Sequence, residues 1–241
     1  MILINTQNRK EENLYEEKIF LSLILSASML LTACSVNVKI NGDKNTDKTT
    51  AADTSNPEET KKEEETVKYS HGKIEENKYS SEFLGLYPEL GEGWTLYTEE
   101  QLAKQNSISD MSDKSVNEAL DKKGVLYEIM ATKENKENFN IVIENLNVTN
   151  NGKTVTGEEY LKLSLPNLKT SLKSGYDESA ADIDKVTFMG KETACIKADV
   201  TKEELHANLI IVPVIKGNYA ALITFTAFTA EGAESMIGVF K

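Results

Sequence analysis

Cysteine, histidine and arginine are scarce in this chain, and each scarcity removes a class of chemistry. Only two cysteines, Cys34 and Cys195, occur among 241 residues, so no disulfide framework staples the fold. The two histidines, His71 and His206, have no Cys, Asp or Glu at zinc-ligand spacing, which leaves zinc without a ligand set. No Gly-x-Ser-x-Gly elbow presents a serine nucleophile. Arg9 is the sole arginine, and 27 basic residues face 39 acidic ones for a net charge of −12. Nucleic acid and anionic lipid headgroups are held by Lys and Arg, so this balance disfavours both as partners. Long apolar runs are missing too. Ile19 to Leu31 spans 13 residues broken by Ser22, Ser26 and Ser28, short against the roughly 20 residues of a bilayer-spanning helix.

The end of that run is more telling than its length. It closes in Leu31-Thr32-Ala33-Cys34, after which the sequence turns abruptly polar. A small residue suits a peptidase cut, and the thiol behind it suits alkylation. The tetrapeptide resembles the lipobox of bacterial lipoprotein signal peptides. The resemblance implies that diacylglycerol is attached to the Cys34 sulfur, that cleavage falls between Ala33 and Cys34, and that residues 1–33 are a leader. It places the mature protein on the outer face of the cytoplasmic membrane, held by lipid. Each buried methylene contributes about 0.8 kcal/mol and a single acyl chain holds only marginally, so the two chains of the glyceride make a stable anchor. Such leaders open with basic residues, whereas Glu11, Glu12, Glu16 and Glu17 come first here; translation is expected to start near Lys18. Removing residues 1–33 takes away three basic and four acidic residues, leaving 24 against 35, a balance of −11.

From Cys34 to residue 68 the chain is Asp, Lys, Thr, Asn and Glu with scarcely a large apolar side chain. It cannot bury enough surface to offset chain entropy, and is expected to be a disordered tether with a root-mean-square reach of roughly 30 Å. The acidic stretch from Glu58 to Glu65 is read as solvated. Residues 69–241 have the composition of one globular domain.

Within that domain Ile74 marks a first strand and Tyr79 to Tyr87 a second, followed by Trp94 to Tyr97. Thr98 with Gln101 forms a capping box opening a helix to about Gln105. Ser112 caps a second helix that Gly124 closes. Val125 to Thr132 and Phe139 to Leu146, joined by polar residues, predict an antiparallel hairpin. Thr156 and Glu159 open a longer helix with a stripe of Tyr160, Leu161, Leu163, Leu165 and Leu168 running through to Leu172, in which Pro166 is expected to produce a kink. An acidic loop is expected from Asp177 to Asp184. A four-strand meander comes next: Val186–Met189, Thr193–Val200, Leu205–Ile215 and Tyr219–Phe228. Gly217-Asn218 supplies its last hairpin turn, and Pro213 calls for an edge or a bulge. Ala230 to Phe240 closes the chain as a helix.

The order predicts an α+β fold, a single antiparallel sheet flanked by helices. Tyr79-Ser80-Ser81-Glu82-Phe83-Leu84-Gly85-Leu86, then Gly93-Trp94 and the Thr98-Glu99-Glu100 helix start, resemble the opening of PsbP and DcrB-like domains. The resemblance implies an α/β/α sandwich without a shared catalytic apparatus, among relatives that are mostly extracytoplasmic accessory or binding proteins. It carries no functional residue over to this chain.

No catalytic, cofactor-binding or metal-ligating set emerges, and no cofactor is called for. Cys195 lies in an apolar strand without a neighbouring histidine and is read as a buried hydrophobe. Asp177, Glu178, Asp182 and Asp184 lack the alternation and central glycine of an EF-hand loop. Trp94 with Tyr87 and Tyr97 could line a groove, though a tryptophan after a glycine turn is more often a core anchor. The function expected is that of a lipid-anchored binding or accessory module without enzymatic activity, with an envelope protein as a possible partner and the oligomeric state open. The alternatives are a hydrolase of envelope polymers using paired carboxylates and a substrate-capture protein for a transporter.

Overall fold

The computed structural model describes residues 68–134 and 136–241. Ala33, Cys34, the leader and the tether up to residue 67 lie outside the described residues. Two short strands, β1 (Lys73–Glu75) and β2 (Lys78–Ser80), come first, followed by β3 (Trp94–Leu96), α1 (Glu99–Asn106) and α2 (Asp113–Lys123). The hairpin of β4 (Val125–Lys133) and β5 (Glu137–Asn145) leads into a single turn, α3 (Leu146–Thr149), and the long helix α4 (Gly157–Gly175). Strands β6 (Glu178–Phe188), β7 (Lys191–Lys202), β8 (Leu205–Lys216) and β9 (Tyr219–Ala227) form the meander, and α5 (Ala230–Ile237) ends the chain. Seven strands make one antiparallel sheet in the order β3-β4-β5-β9-β8-β7-β6.

Local chemistry explains most boundaries. Both halves of each capping box form: at α1 the Thr98 hydroxyl accepts from the Gln101 amide while the Thr98 amide donates to Gln101 Oε1 at 2.8 Å, and Thr156 and Glu159 do the same for α4. Gly124 ends α2 in the left-handed region at φ +80°, where a glycine carries no steric penalty. Helix α4 continues past Pro166 as one element.

Three features depart from the sequence expectation. The mixed fold and its antiparallel sheet are present, but the sheet is not single: β1 and β2 form a separate two-stranded one. Glu76 and Asn77 both take positive φ, as a tight two-residue hairpin turn requires, and Asn77 then bonds the backbone of Trp94 and Leu96 at 3.0 Å each. The expected acidic loop from Asp177 to Asp184 is instead the start of the edge strand β6, with Ala181 buried and Glu178, Asp182 and Asp184 outside. Charges along an exposed edge discourage pairing with another sheet, and here they disguised a strand as a loop. Pro213 lies in β8, inside the sheet order, yet the β7–β8 ladder reaches only Ile196↔Ile211. At Pro213 only β9 is paired, so the missing N–H leaves no ladder bond broken.

Alternation splits the sheet into two faces. Tyr219, Ala221, Ile223 and Phe225 of β9 point into one apolar cluster with Phe139 and, from the C-terminal segment, Met236, Ile237 and Phe240. Ala220 and Leu222 point the other way, into a second cluster with Leu209, Ile211 and the α4 residues Leu161, Leu168 and Leu172.

Candidate functional site

Two buried polar groupings stand out against these apolar faces. The first is built around Glu128, which is fully buried. A shift of register between Tyr127 and Ile129 marks a bulge in β4, and a bulge re-aims the side chain it carries. Glu128 accepts from His71 Nδ1 at 2.7 Å, from the Gly72 amide at 2.6 Å and from the Tyr79 hydroxyl at 2.9 Å. Gly72 is needed for so close an approach: a Cβ there would lie 2.5 Å from the Tyr79 ring and 2.8 Å from Glu128 Oε1. From α2, Asp113 accepts the His71 amide at 2.8 Å and Asn117 donates to the Tyr69 carbonyl at 2.8 Å. The stretch from Tyr69 to Ser80 is thereby clamped to the sheet.

Electrostatics follow from this packing. Burial pulls the His71 pKa down, but the hydrogen bond and charge of Glu128, aided by Glu99 and Asp113, outweigh it and leave the net pKa raised. Burial and then the charge of Glu128 hold the Tyr69 and Tyr79 hydroxyls well above the usual tyrosine range. A histidine oriented by a carboxylate is the arrangement of a general base. His71 Nε2, however, is enclosed and without a partner among the described residues, so no substrate atom meets it in this arrangement. The constellation acts as an anchor.

The second grouping lies on β5 and β9, on the face that also carries Leu222. Asn138 pairs with Thr226 and Asn140 with Thr224 across the strands, and all four are no more than 2% exposed. Asn138 Oδ1, both polar atoms of Asn140 and the hydroxyls of Thr224 and Thr226 have no hydrogen-bond partner among the described residues. Among the described residues the one side-chain bond in the row is a long contact of 3.4 Å from Asn138 Nδ2 to the Thr226 carbonyl. Leaving a buried polar atom unpaired costs about 1–3 kcal/mol, so five such atoms approach the whole stability of a domain, about 5–15 kcal/mol. Further along the same face of β5, Glu144 accepts from the Tyr160 hydroxyl of α4, and burial raises its pKa against hydrogen bonds from Thr149 and Tyr160.

The residues singled out in the sequence fall elsewhere. Cys195 is buried in β7, and burial followed by the nearby Asp184 pushes its thiol up to about 11, far from a reactive thiolate. Among the described residues His206 meets Asp199 at 3.1 Å and Thr201 at 3.4 Å on the surface. Trp94 packs in the core against Phe139, ring centres 5.4 Å apart, whereas Tyr87 is exposed beside a shallow groove of about 980 Å³ shared with Lys73, Lys78, Tyr79, Pro88 and Leu90. The three aromatics do not make one site. Among the described residues no three His, Cys, Asp or Glu side chains are grouped to hold a metal ion, and no helix is long and apolar enough to cross a membrane.

His71 with Glu128, and the Asn–Thr row, are the groupings that the sequence alone did not reveal. A signal existed for the second. Asn138-Phe139-Asn140-Ile141 and Thr224-Phe225-Thr226 alternate as strands do, and the polar half of such a pattern is ordinarily taken for a solvated face. No protein-family model matches the chain, and no curated protein matches it significantly.

Proposed function

We infer that the protein is a lipid-anchored, extracytoplasmic binding module of a bacterial envelope, with a domain of the PsbP and DcrB-like kind that performs no chemistry of its own. The observation that carries the binding role is the enclosed Asn138, Asn140, Thr224 and Thr226 row, which offers uncharged donors and acceptors with nothing of the described fold to take them. The row has no group of suitable basicity for chemistry. The hydrolase alternative asks for two free carboxylates facing one another in a cleft, and the two buried ones among the described residues, Glu128 and Glu144, are each engaged by a tyrosine hydroxyl. The anchor rests on the lipobox. Cys34→Ala should move the protein from the membrane fraction to the soluble one, and mass spectrometry of the unaltered protein should find diacylglycerol on Cys34. Equal membrane retention of the variant would overturn the anchor.

A further inference from the structure

Residues 69–80 are fastened to the domain without being woven into its main sheet. Strands β1 and β2 pair with each other and not with the seven-stranded sheet, so no strand ladder crosses the join. Side chains do the fastening. Asn77 reaches the backbone of Trp94 and Leu96, Asp113 and Asn117 of α2 hold the backbone of His71 and Tyr69, and the Tyr69 ring packs on Phe83 and Tyr219 with centres 4.9 and 5.5 Å apart. Three more bonds, from His71, Gly72 and Tyr79, converge on the single carboxylate of Glu128. A unit held in this way opens on its own, short of global unfolding, and the carboxylate is the point on which its closure turns.

His71 is the member of this clamp whose charge changes near neutrality. It faces Glu128 of β4, Tyr79 of β2, Glu99 of α1 and Asp113 of α2, with Tyr69 on its own stretch. The two tyrosines stay neutral throughout, held well above their usual range by burial and then by Glu128. Burial opposes a charge on His71, but Glu128 first and then Glu99 and Asp113 favour it, so the folded clamp keeps the proton past the ordinary 6.5. Protonated, the ring makes a bond to Glu128 that is charged on both sides. Neutral, it still donates through Nδ1, but a bond without that assistance is roughly half as strong. Once residues 69–80 part from the sheet, His71 meets water and gives up its proton at the ordinary value. Opening is therefore favoured as pH rises from that value through the raised one.

We propose that His71 and Glu128 form a proton-operated latch: with His71 protonated residues 69–80 stay closed on the domain, and loss of that proton lets them swing away from a seven-stranded sheet that remains folded. Opening passes this stretch to the chain ahead of it and uncovers Phe83 and Tyr219. The latch depends on neither the binding role nor the lipid anchor. The test is amide hydrogen exchange of the full-length protein from about pH 5 to about pH 9, corrected for the intrinsic effect of pH. Opening of residues 72–80 should become about threefold or more frequent across this range, and at each pH should be about tenfold or more frequent than opening of β5 and β9. His71→Asn keeps a donor without titrating and should make the opening constant with pH. The ring of His71 in the unaltered protein, followed by NMR with His206→Asn to assign the signal, should lose its proton above 6.5 and at the midpoint of the exchange profile; this reading serves if His71→Asn fails to fold. The proposal is overturned if residues 72–80 open no more often than β5 and β9, if their opening does not change with pH, if folded His71→Asn keeps the pH dependence, or if the His71 ring titrates at or below 6.5.

Discussion

Two neighbouring strands, β4 and β5, each carry polar side chains into the interior, and the fold treats them in opposite ways. Glu128 on β4 is met by three donors, two of them from residues more than 50 positions earlier in the chain. Asn138 and Asn140 on β5, with Thr224 and Thr226 opposite, are met by almost nothing among the described residues. Buried polar groups are rarely left unpaired. Glu128 has its partners from the fold, whereas the row has almost none among the described residues, as is also true of the outer His71 Nε2 and the Tyr69 hydroxyl at the edge of the Glu128 cluster. The Glu128 cluster holds the Tyr69 to Ser80 stretch to the sheet, and the Asn–Thr row is a buried polar strip that the described fold leaves almost unpaired.

The contrast is sharpest when each grouping is removed in turn. Glu128→Ala strips the acceptor from His71, Gly72 and Tyr79 at once. Equilibrium urea unfolding should show a loss of about 3–5 kcal/mol, with the stretch from Tyr69 to Ser80 the first to exchange its amides. A loss below about 1 kcal/mol would mean that the clamp is incidental and would erase the difference between the two regions.

A smaller effect comes from pH. The folded pKa of His71 is raised above the ordinary 6.5, so its contribution to stability is fully present below that value and declines as pH rises through the raised folded value. Unfolding measured from acid to alkaline pH should therefore show the domain losing stability across this window, and His71→Asn, which keeps a donor near the Nδ1 position without titrating, should flatten that portion of the profile. An unchanged profile in the variant would assign the dependence to other groups.

How far the sequence foretells this arrangement depends on how local the cause is. Thr98, Ser112, Thr156 and Gly124 set helix ends through bonds within a few residues, and the β4–β5 hairpin and the Gly217-Asn218 turn are equally local. All were legible. Strand β6 was not, because its exposed acidic residues serve an edge and so mimic a loop. Ile74 and Tyr79 mark strands β1 and β2, but the second, expected to run to Tyr87, ends at Ser80, and nothing so short in sequence shows that the pair makes a sheet of its own. The His71–Glu128 bond joins positions 57 apart through a bulge that nothing in the sequence announces. For the Asn–Thr row the alternation was visible, but whether its polar half meets solvent or interior is decided by elements far along the chain.

The contrast between the paired Glu128 cluster and the unpaired Asn–Thr row is tested most directly by the thermal unfolding of full-length Thr224→Val and Asn140→Leu, followed by the fluorescence of Trp94, the single tryptophan. If the row is built for an occupant, removing its unpaired groups relieves a cost, and both variants should be as stable as the unaltered protein or more stable by about 1 kcal/mol. A loss of about 2 kcal/mol or more in both would show these side chains satisfied within the fold and would contradict their assignment as the binding surface.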